Sequence, residues 1–222
     1  MTKNLSRKLT TSVTAAAVAV ACLSATTVQA EMSASIAVSN MYLYRGSNLS
    51  NPGAHVSGSL DWAQESGLYA GVWASSEGAS GSSEVDYYVG FGNEIDGFSY
   101  DVSLIAYEYP SIAGSEKYVD VSELIIGVGM AGFSASLTDA LHSSSAGGDY
   151  HYISLGYEMD KFGVSYNTFS SDTVSEISHI DLTYAATDEL SFTLSTIVDD
   201  DDDASIDTDP LIAVTWSKSF DL

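Results

Sequence analysis

Apolar and polar positions alternate along most of the chain, and the pattern is clearest over residues 84–106. The apolar parity of the first half holds Val85, Tyr87, Val89 and Phe91, with Glu84, Asp86, Tyr88 and Gly90 in between. The dipeptide Asp96-Gly97 interrupts the pattern, which resumes at Phe98. Side chains alternate between the two faces of a strand, and Asp-Gly tolerates the positive φ angles of a tight turn. This stretch therefore predicts a β-hairpin with one apolar and one polar face.

The same pattern recurs throughout the chain and predicts about twelve strands of roughly ten residues each. The predicted strands are 35–44, 54–63, 68–76, 84–95, 98–106, 119–130, one beginning at Phe133, 150–158, 162–169, one ending near Tyr184, 190–198 and 211–220. The connections after every second strand are very short. The others are mostly longer and rich in Gly, Ser, Asp or Pro, and no stretch predicts a long amphipathic helix.

Alternation alone also fits a soluble β-sandwich, but three further features favour a membrane barrel. Short and long connections alternate, as they do between the two ends of outer-membrane barrels. Aromatic residues follow the short turns, at Tyr69, Phe98, Phe133, Phe162 and Phe192. The last strand carries Trp216, Phe220 and Leu222 on one parity, which resembles the terminal signal read by the outer-membrane assembly machinery. We therefore predict an all-β fold: a single transmembrane, antiparallel, up-and-down β-barrel of about 12 strands. Its last strand pairs with its first, because lipid cannot satisfy an open sheet edge.

Residues 1–30 have the features of a cleaved secretory signal peptide. Lys3, Arg7 and Lys8 precede an apolar core that is too short to span a bilayer, and Val28-Gln29-Ala30 is a small-x-small cleavage site. The only cysteine, Cys22, lies within this segment, so the mature chain 31–222 contains no thiol. These features predict export to the outer membrane of a Gram-negative bacterium, with the lipid bilayer as the main partner.

The charge balance limits the possible functions. All 30 acids but only four of the seven bases follow residue 30, which gives the mature chain a net charge of −26. We therefore expect no nucleic-acid binding, because phosphate contacts require Lys and Arg.

The polar face carries Asp61, Glu84, Asp86, Glu94, Asp101, Glu123 and Asp181, which we predict to line the pore. Arg45, the only arginine after the leader, is predicted either at the pore mouth, paired with a wall carboxylate, or on the surface at a strand end.

Several motifs resemble the TorF-type family of bacterial outer-membrane porins. They are SNMYLYRG at 39–46, GLYAGVWASS at 67–76, SEVDYYVGF at 83–91 and YEYP at 107–110, in the order found in that family. The resemblance covers most of the mature chain and implies an outer-membrane channel without specifying a solute. Together with the acidic polar face, it favours passive diffusion of small hydrophilic solutes or ions, with cations preferred.

Two other classes of function stay open. The barrel could be structural or adhesive, with a lumen filled by side chains. It could also be an acyl hydrolase or transferase, in which His179 and Asp181 form half of a dyad with a nearby serine. The four histidines are scattered, however, and neither a G-x-S-x-G nor an H-E-x-x-H motif occurs, so we expect no enzyme and no cofactor. The acidic run containing Asp199, Asp201 and Asp203 is a candidate Ca²⁺ loop, against the simpler interpretation as a solvated acidic loop.

Overall fold

The computed structural model describes residues 31–50, 53–76, 83–110, 121–143 and 148–222. The predicted leader lies outside these residues. The strands are β1 (Glu31–Ser39), β2 (Leu43–Tyr44), β3 (Ser47–Asn48), β4 (His55–Ala63), β5 (Leu68–Ser76), β6 (Ser83–Ile95), β7 (Phe98–Glu108), β8 (Val121–Met130), β9 (Phe133–Ser143), β10 (Tyr150–Met159), β11 (Phe162–Ser171), β12 (Ile177–Ala185), β13 (Leu190–Asp199) and β14 (Leu211–Asp221). Within the described ranges, no helix is long and apolar enough to cross a bilayer.

Twelve of these strands form one closed antiparallel barrel, in which each strand pairs with its neighbours along the chain. The barrel closes at β1, where Ala37 lies opposite Ser57 of β4 on one side and opposite Ser217 of β14 on the other. The prediction of an up-and-down barrel of about twelve strands is confirmed. The soluble sandwich is wrong, because a sandwich has two separate sheets whereas this sheet closes on itself.

Most strand positions agree with the predictions to within a few residues, but the first strand does not. It was predicted over 35–44, whereas β1 ends at Ser39. Residues 43–44 instead pair with 47–48 in a small separate hairpin, whose turn residues Arg45 and Gly46 have φ angles of 48° and 80°. Residues 41–44 are four consecutive apolar or aromatic residues that suit a strand, so the composition does not show that the strand has ended.

Apolar side chains cover the outside of the barrel, and polar side chains face its lumen. The exposed residues include Val38, Val56, Tyr87, Val89, Phe91, Val102, Leu104, Ile153, Leu155, Val164, Leu182 and Ile212. Buried polar residues of the opposite parity include Ser39, Ser103, Thr138, Asn167, Thr193 and Thr215. This arrangement is the reverse of a soluble protein, which buries its apolar side chains and exposes its polar ones.

The two ends of the barrel differ in their connections. The short-turn end carries the connections 64–67, 96–97, 131–132, 160–161 and 186–189, together with both ends of the described chain. At two of these turns, Asp96-Gly97 and Ala131-Gly132, both central residues have positive φ, which suits a two-residue hairpin. The long-loop end carries the remaining connections, and in the first of them residues 40–50 lie in the lumen.

Candidate functional site in the barrel lumen

Residues 40–50, here called the inner loop, fold into the barrel from its long-loop end. The side chains of Tyr42 and Leu43 are each only 3% exposed. The loop is closed by hydrogen bonds from the Tyr42 backbone N–H to Ser50 Oγ (2.7 Å) and from the Leu49 N–H to the Tyr42 carbonyl (2.8 Å). Asn40 ties the start of the loop to β14, donating to the Ile212 carbonyl at 3.0 Å. The inner loop is therefore a compact unit built into the lumen.

Arg45, at the tip of the inner loop, forms a buried ion pair with Glu123 of β8. The guanidinium Nη2 lies 2.6 Å from Glu123 Oε1, and the two side chains are 12% and 0% exposed. Tyr107 donates to the other carboxylate oxygen at 2.7 Å, and Tyr150 also donates to Glu123. The guanidinium carbon lies 4.8–5.3 Å from the ring centres of Tyr44, Tyr150 and Tyr152. Such a setting compensates both charges, which a buried ion pair requires.

A second group of carboxylates lies on β6, beside an aromatic cluster. Glu84 accepts hydrogen bonds from Tyr42 Oη (2.9 Å) and Tyr109 Oη (3.1 Å). Two residues further along the same face, Asp86 is 3% exposed, and its Oδ1 has no hydrogen-bond partner among the described residues. Tyr42 stacks on His55 at 4.2 Å between ring centres, and Trp73 lies 5.9 Å from His55 and 6.1 Å from Tyr42. Trp73 is also the cross-strand partner of Asp86.

His179 joins the inner loop to the opposite wall. Its Nδ1 lies 3.0 Å from Asp181 Oδ1, and its Nε2 lies 3.0 Å from Tyr152 Oη. With Nδ1 donating to Asp181, Nε2 accepts the tyrosine hydroxyl. The backbone of Gly46 packs on the ring so closely that an added Cβ would lie 3.0 Å from His179 Cγ. The predicted half-dyad is thus formed, but a tyrosine occupies the position that a serine nucleophile would need.

Nearer the short-turn end, two tyrosines lie flat along the wall instead of projecting across the lumen. Tyr88 of β6 covers Gly71 of β5, and its hydroxyl donates to Asp61 on β4. In the mirrored arrangement, Tyr69 of β5 covers Gly90 of β6 and donates to Asp101 on β7 at 2.8 Å. Each glycine provides the space in which the ring lies, and each tyrosine holds a carboxylate one strand further on. This keeps bulky side chains at the wall.

The structure brings most of the predicted lumen carboxylates to the inside of the barrel. Glu84, Asp86, Asp101 and Glu123 are buried, and Asp61 and Asp181 are partly buried in the contacts described above. Glu94 differs: it is exposed at the rim of the short-turn end, beside the 96–97 turn. Arg45 lies inside the barrel and is not a surface arginine. Sequence reasoning missed the tyrosines that hold these groups, although tyrosines on an otherwise polar parity were a visible signal.

The acidic loop 200–210 contains two of the three aspartates of the predicted Ca²⁺ loop, Asp201 and Asp203. Its carboxylates are used in local contacts: Asp203 accepts from Ser205 Oγ at 2.7 Å and from Ser175 Oγ at 2.9 Å. The hydrogen bonds from Ser205 lower the pKa of the Asp203 carboxyl. Asp199, Asp201 and Asp203 are not brought together, and the described residues contain no group of three or more His, Cys, Asp or Glu that could hold a metal ion.

Comparison with known proteins identifies a family, but the description of that family states no function. No curated protein matches the chain. A family model described as a bacterial protein of unknown function (Gcw_chp) matches residues 24–208, which include the inner loop and all barrel strands except β14. The chain therefore belongs to the Gcw_chp family of bacterial proteins.

Proposed function

We propose that this protein is an outer-membrane channel for passive diffusion of small hydrophilic solutes or ions, with cations preferred. The observation that carries the proposal is the charge of the lumen. Six carboxylates face it, those of Asp61, Glu84, Asp86, Asp101, Glu123 and Asp181, whereas Arg45 is the single arginine or lysine inside among the described residues. Rings of carboxylates favour cations in pores, and a narrow low-dielectric channel strengthens their field.

Membrane insertion is supported by the outward face. Its apolar side chains would be unfavourable in water, and a closed barrel satisfies every strand edge within lipid. The predicted leader, the aromatic C-terminal strand and the resemblance to TorF-type porins support export, assembly by the outer-membrane machinery and a porin-like role. We propose no catalytic step, since the histidine with the best geometry, His179, is held between Asp181 and Tyr152.

Passage needs no chemistry in this proposal. Ions enter through the polar lumen, whose hydroxyl and carboxylate groups replace part of their hydration. The inner loop narrows the path at the long-loop half, where Arg45 and Glu123 neutralise each other. The remaining carboxylates then set the sign of the selectivity. Because screening weakens as salt is diluted, the preference for cations should be strongest at low ionic strength.

The test is the reversal potential of the refolded protein across a KCl gradient in a planar bilayer. We expect a K⁺-selective sign, and a shift toward zero in the double variant Glu84→Gln/Asp86→Asn. Asp139→Asn is the matched control, because Asp139 lies on the outward parity of β9, 2.9 Å from the exposed His151. A Cl⁻-selective sign would refute the cation preference. An equal shift in the control would mean that the shift does not arise from the lumen.

A structural barrel without an open pore is the second candidate, and the burial of the inner loop favours it. The bilayer measurement separates the two if insertion is checked first by heat-modifiable migration on a gel. A wild-type barrel that inserts but stays silent, together with an Arg45→Ser variant that conducts, would show that the inner loop closes the lumen. Silence in both would support the structural role.

A further inference from the structure

Among the described residues, one lumen carboxylate, that of Asp86, has a buried oxygen without a hydrogen-bond partner. It is 3% exposed, it faces inward from β6, and its Oδ1 has no partner among the described residues. A buried carboxylate without a hydrogen bond or counter-charge is costly, so proteins normally provide a partner. The other lumen carboxylates described above accept from a tyrosine or a histidine, which makes Asp86 the exception among them.

The surroundings of Asp86 suit a positively charged ligand. Glu84 lies two residues along the same face and adds a second negative charge. Trp73 lies directly across the strand pair, and Tyr42 and His55 complete a cluster of rings with centres 4.2–6.1 Å apart. Aromatic faces attract cations, most strongly in desolvated sites. His55 also has an unpartnered polar atom, Nε2, in the described part of the chain, and His55 itself is buried.

We propose that Asp86, Glu84, His55, Trp73 and Tyr42 form a binding site for a small organic ammonium ion. Primary ammonium groups fit best, because they donate hydrogen bonds as well as carrying charge. The free oxygen of Asp86 and a neutral His55 Nε2 are both acceptors for such donors. A bare metal ion fits less well, because the described residues offer no group of three metal-ligating side chains. The inference rests on the proposed function only in that the ligand enters through the lumen.

The test is equilibrium binding, which does not require an open pore. The probe is 1-propylammonium chloride titrated into the refolded barrel in detergent and followed by calorimetry. Tetramethylammonium, which carries the same charge without an N–H donor, and K⁺ are the comparison ions. We expect propylammonium to bind more tightly than both. The variant Asp86→Asn, which keeps the side-chain shape, should weaken binding by at least about tenfold, as expected for loss of one partner of a desolvated charge pair.

Two controls separate a site from general electrostatic attraction. Asp101→Asn removes a lumen charge whose carboxylate is already held by Tyr69, so it should weaken binding less than about threefold. Trp73 fluorescence in a Trp62→Phe/Trp216→Phe background gives a second readout, since Trp73 is the single tryptophan on the lumen parity. The proposal is overturned if the wild type does not bind propylammonium, if K⁺ binds equally well, or if Asp86→Asn and Asp101→Asn weaken binding to the same extent. A barrel that binds propylammonium but does not conduct would count against the proposed channel and not against the binding site.

Discussion

Both halves of the lumen contain tyrosines that contact carboxylates, but the tyrosines are positioned differently in the two halves. In the short-turn half, Tyr69 and Tyr88 lie flat on glycines, and each holds a wall carboxylate. In the long-loop half, the inner loop adds Tyr42, Tyr44 and Arg45 from within, and these pack against Glu84, Glu123 and wall tyrosines. Pairs of tyrosine and carboxylate thus lie along the wall in one half and pack against an inserted loop in the other. The difference comes from the backbone: glycines in the wall on one side and an inserted loop on the other.

The strongest test of this difference is the ion pair that fixes the inner loop. Glu123→Gln leaves the guanidinium of Arg45 buried without a counter-charge. We expect the free energy of unfolding to fall by about 3–5 kcal/mol, the usual cost of leaving one buried ion uncompensated. Urea unfolding of the refolded protein in detergent micelles measures it. The double variant Arg45→Met/Glu123→Leu should recover much of the loss, because neither charge of this pair remains.

Glu94→Gln is the control, because Glu94 is an exposed carboxylate at the rim of the short-turn end. Its effect should stay within about 0.5 kcal/mol, as for most surface substitutions. Equal effects of Glu123→Gln and Glu94→Gln would mean that the inner loop is not held by this ion pair, and the contrast between the two halves would fail.

The glycines of the wall provide an intermediate test. Gly90→Ala places a methyl group into the ring of Tyr69 and 2.9 Å from Ser103 Cβ, so we expect a loss of about 1–3 kcal/mol from overpacking. Gly127→Ala is the same change on the same face of the sheet, but its methyl group would meet only a backbone oxygen at 4.0 Å. It should be neutral or stabilise by about 0.5–1 kcal/mol, because alanine loses less conformational entropy on folding.

Urea unfolding again compares the two glycine variants, and near-ultraviolet circular dichroism reports whether the tyrosine environment changes in Gly90→Ala. If Gly90→Ala were as stable as Gly127→Ala, with an unchanged spectrum, Tyr69 would not be lying on Gly90. The short-turn half would then have no special wall.

The sequence predicted the wall of the barrel better than its contents. Alternation with a period of two fixes which side chains face in, so the inward positions of Asp86 and Glu123 followed from local pattern alone. The contacts did not follow, because Tyr88 meets Gly71 and Asp61 only through the pairing of three strands. The inner loop was missed for a related reason. Residues 41–44 are all apolar or aromatic, and burial in the lumen favours the same side chains as burial in a sheet.

The smallest expected effect is at the ion pair on the outer surface of the short-turn end. Lys218 Nζ lies 3.0 Å from Glu189 Oε1, and the side chains are 46% and 43% exposed, in contrast to the buried pair of Arg45 and Glu123.

The hydrogen bond from Lys218 and a second from Trp216 Nε1 lower the pKa of the Glu189 carboxyl. A lowered pKa in the folded state means that the contribution to stability is present above the ordinary pKa of a glutamate and is lost as the pH falls through the folded value. Glu189→Gln should therefore lower the urea midpoint slightly at neutral pH, and this effect should shrink as the pH falls below the ordinary pKa of a glutamate. Raising the salt to about 1 M at neutral pH should also remove the difference in urea midpoint between Glu189→Gln and the wild type, because exposed pairs are screened.

The effect of Glu123→Gln on the free energy of unfolding should persist in the same salt, since that pair is shielded from solvent. If salt removed both effects equally, the lumen pair would be as exposed to solvent as the surface pair, and the long-loop half would be wetter than its packing indicates.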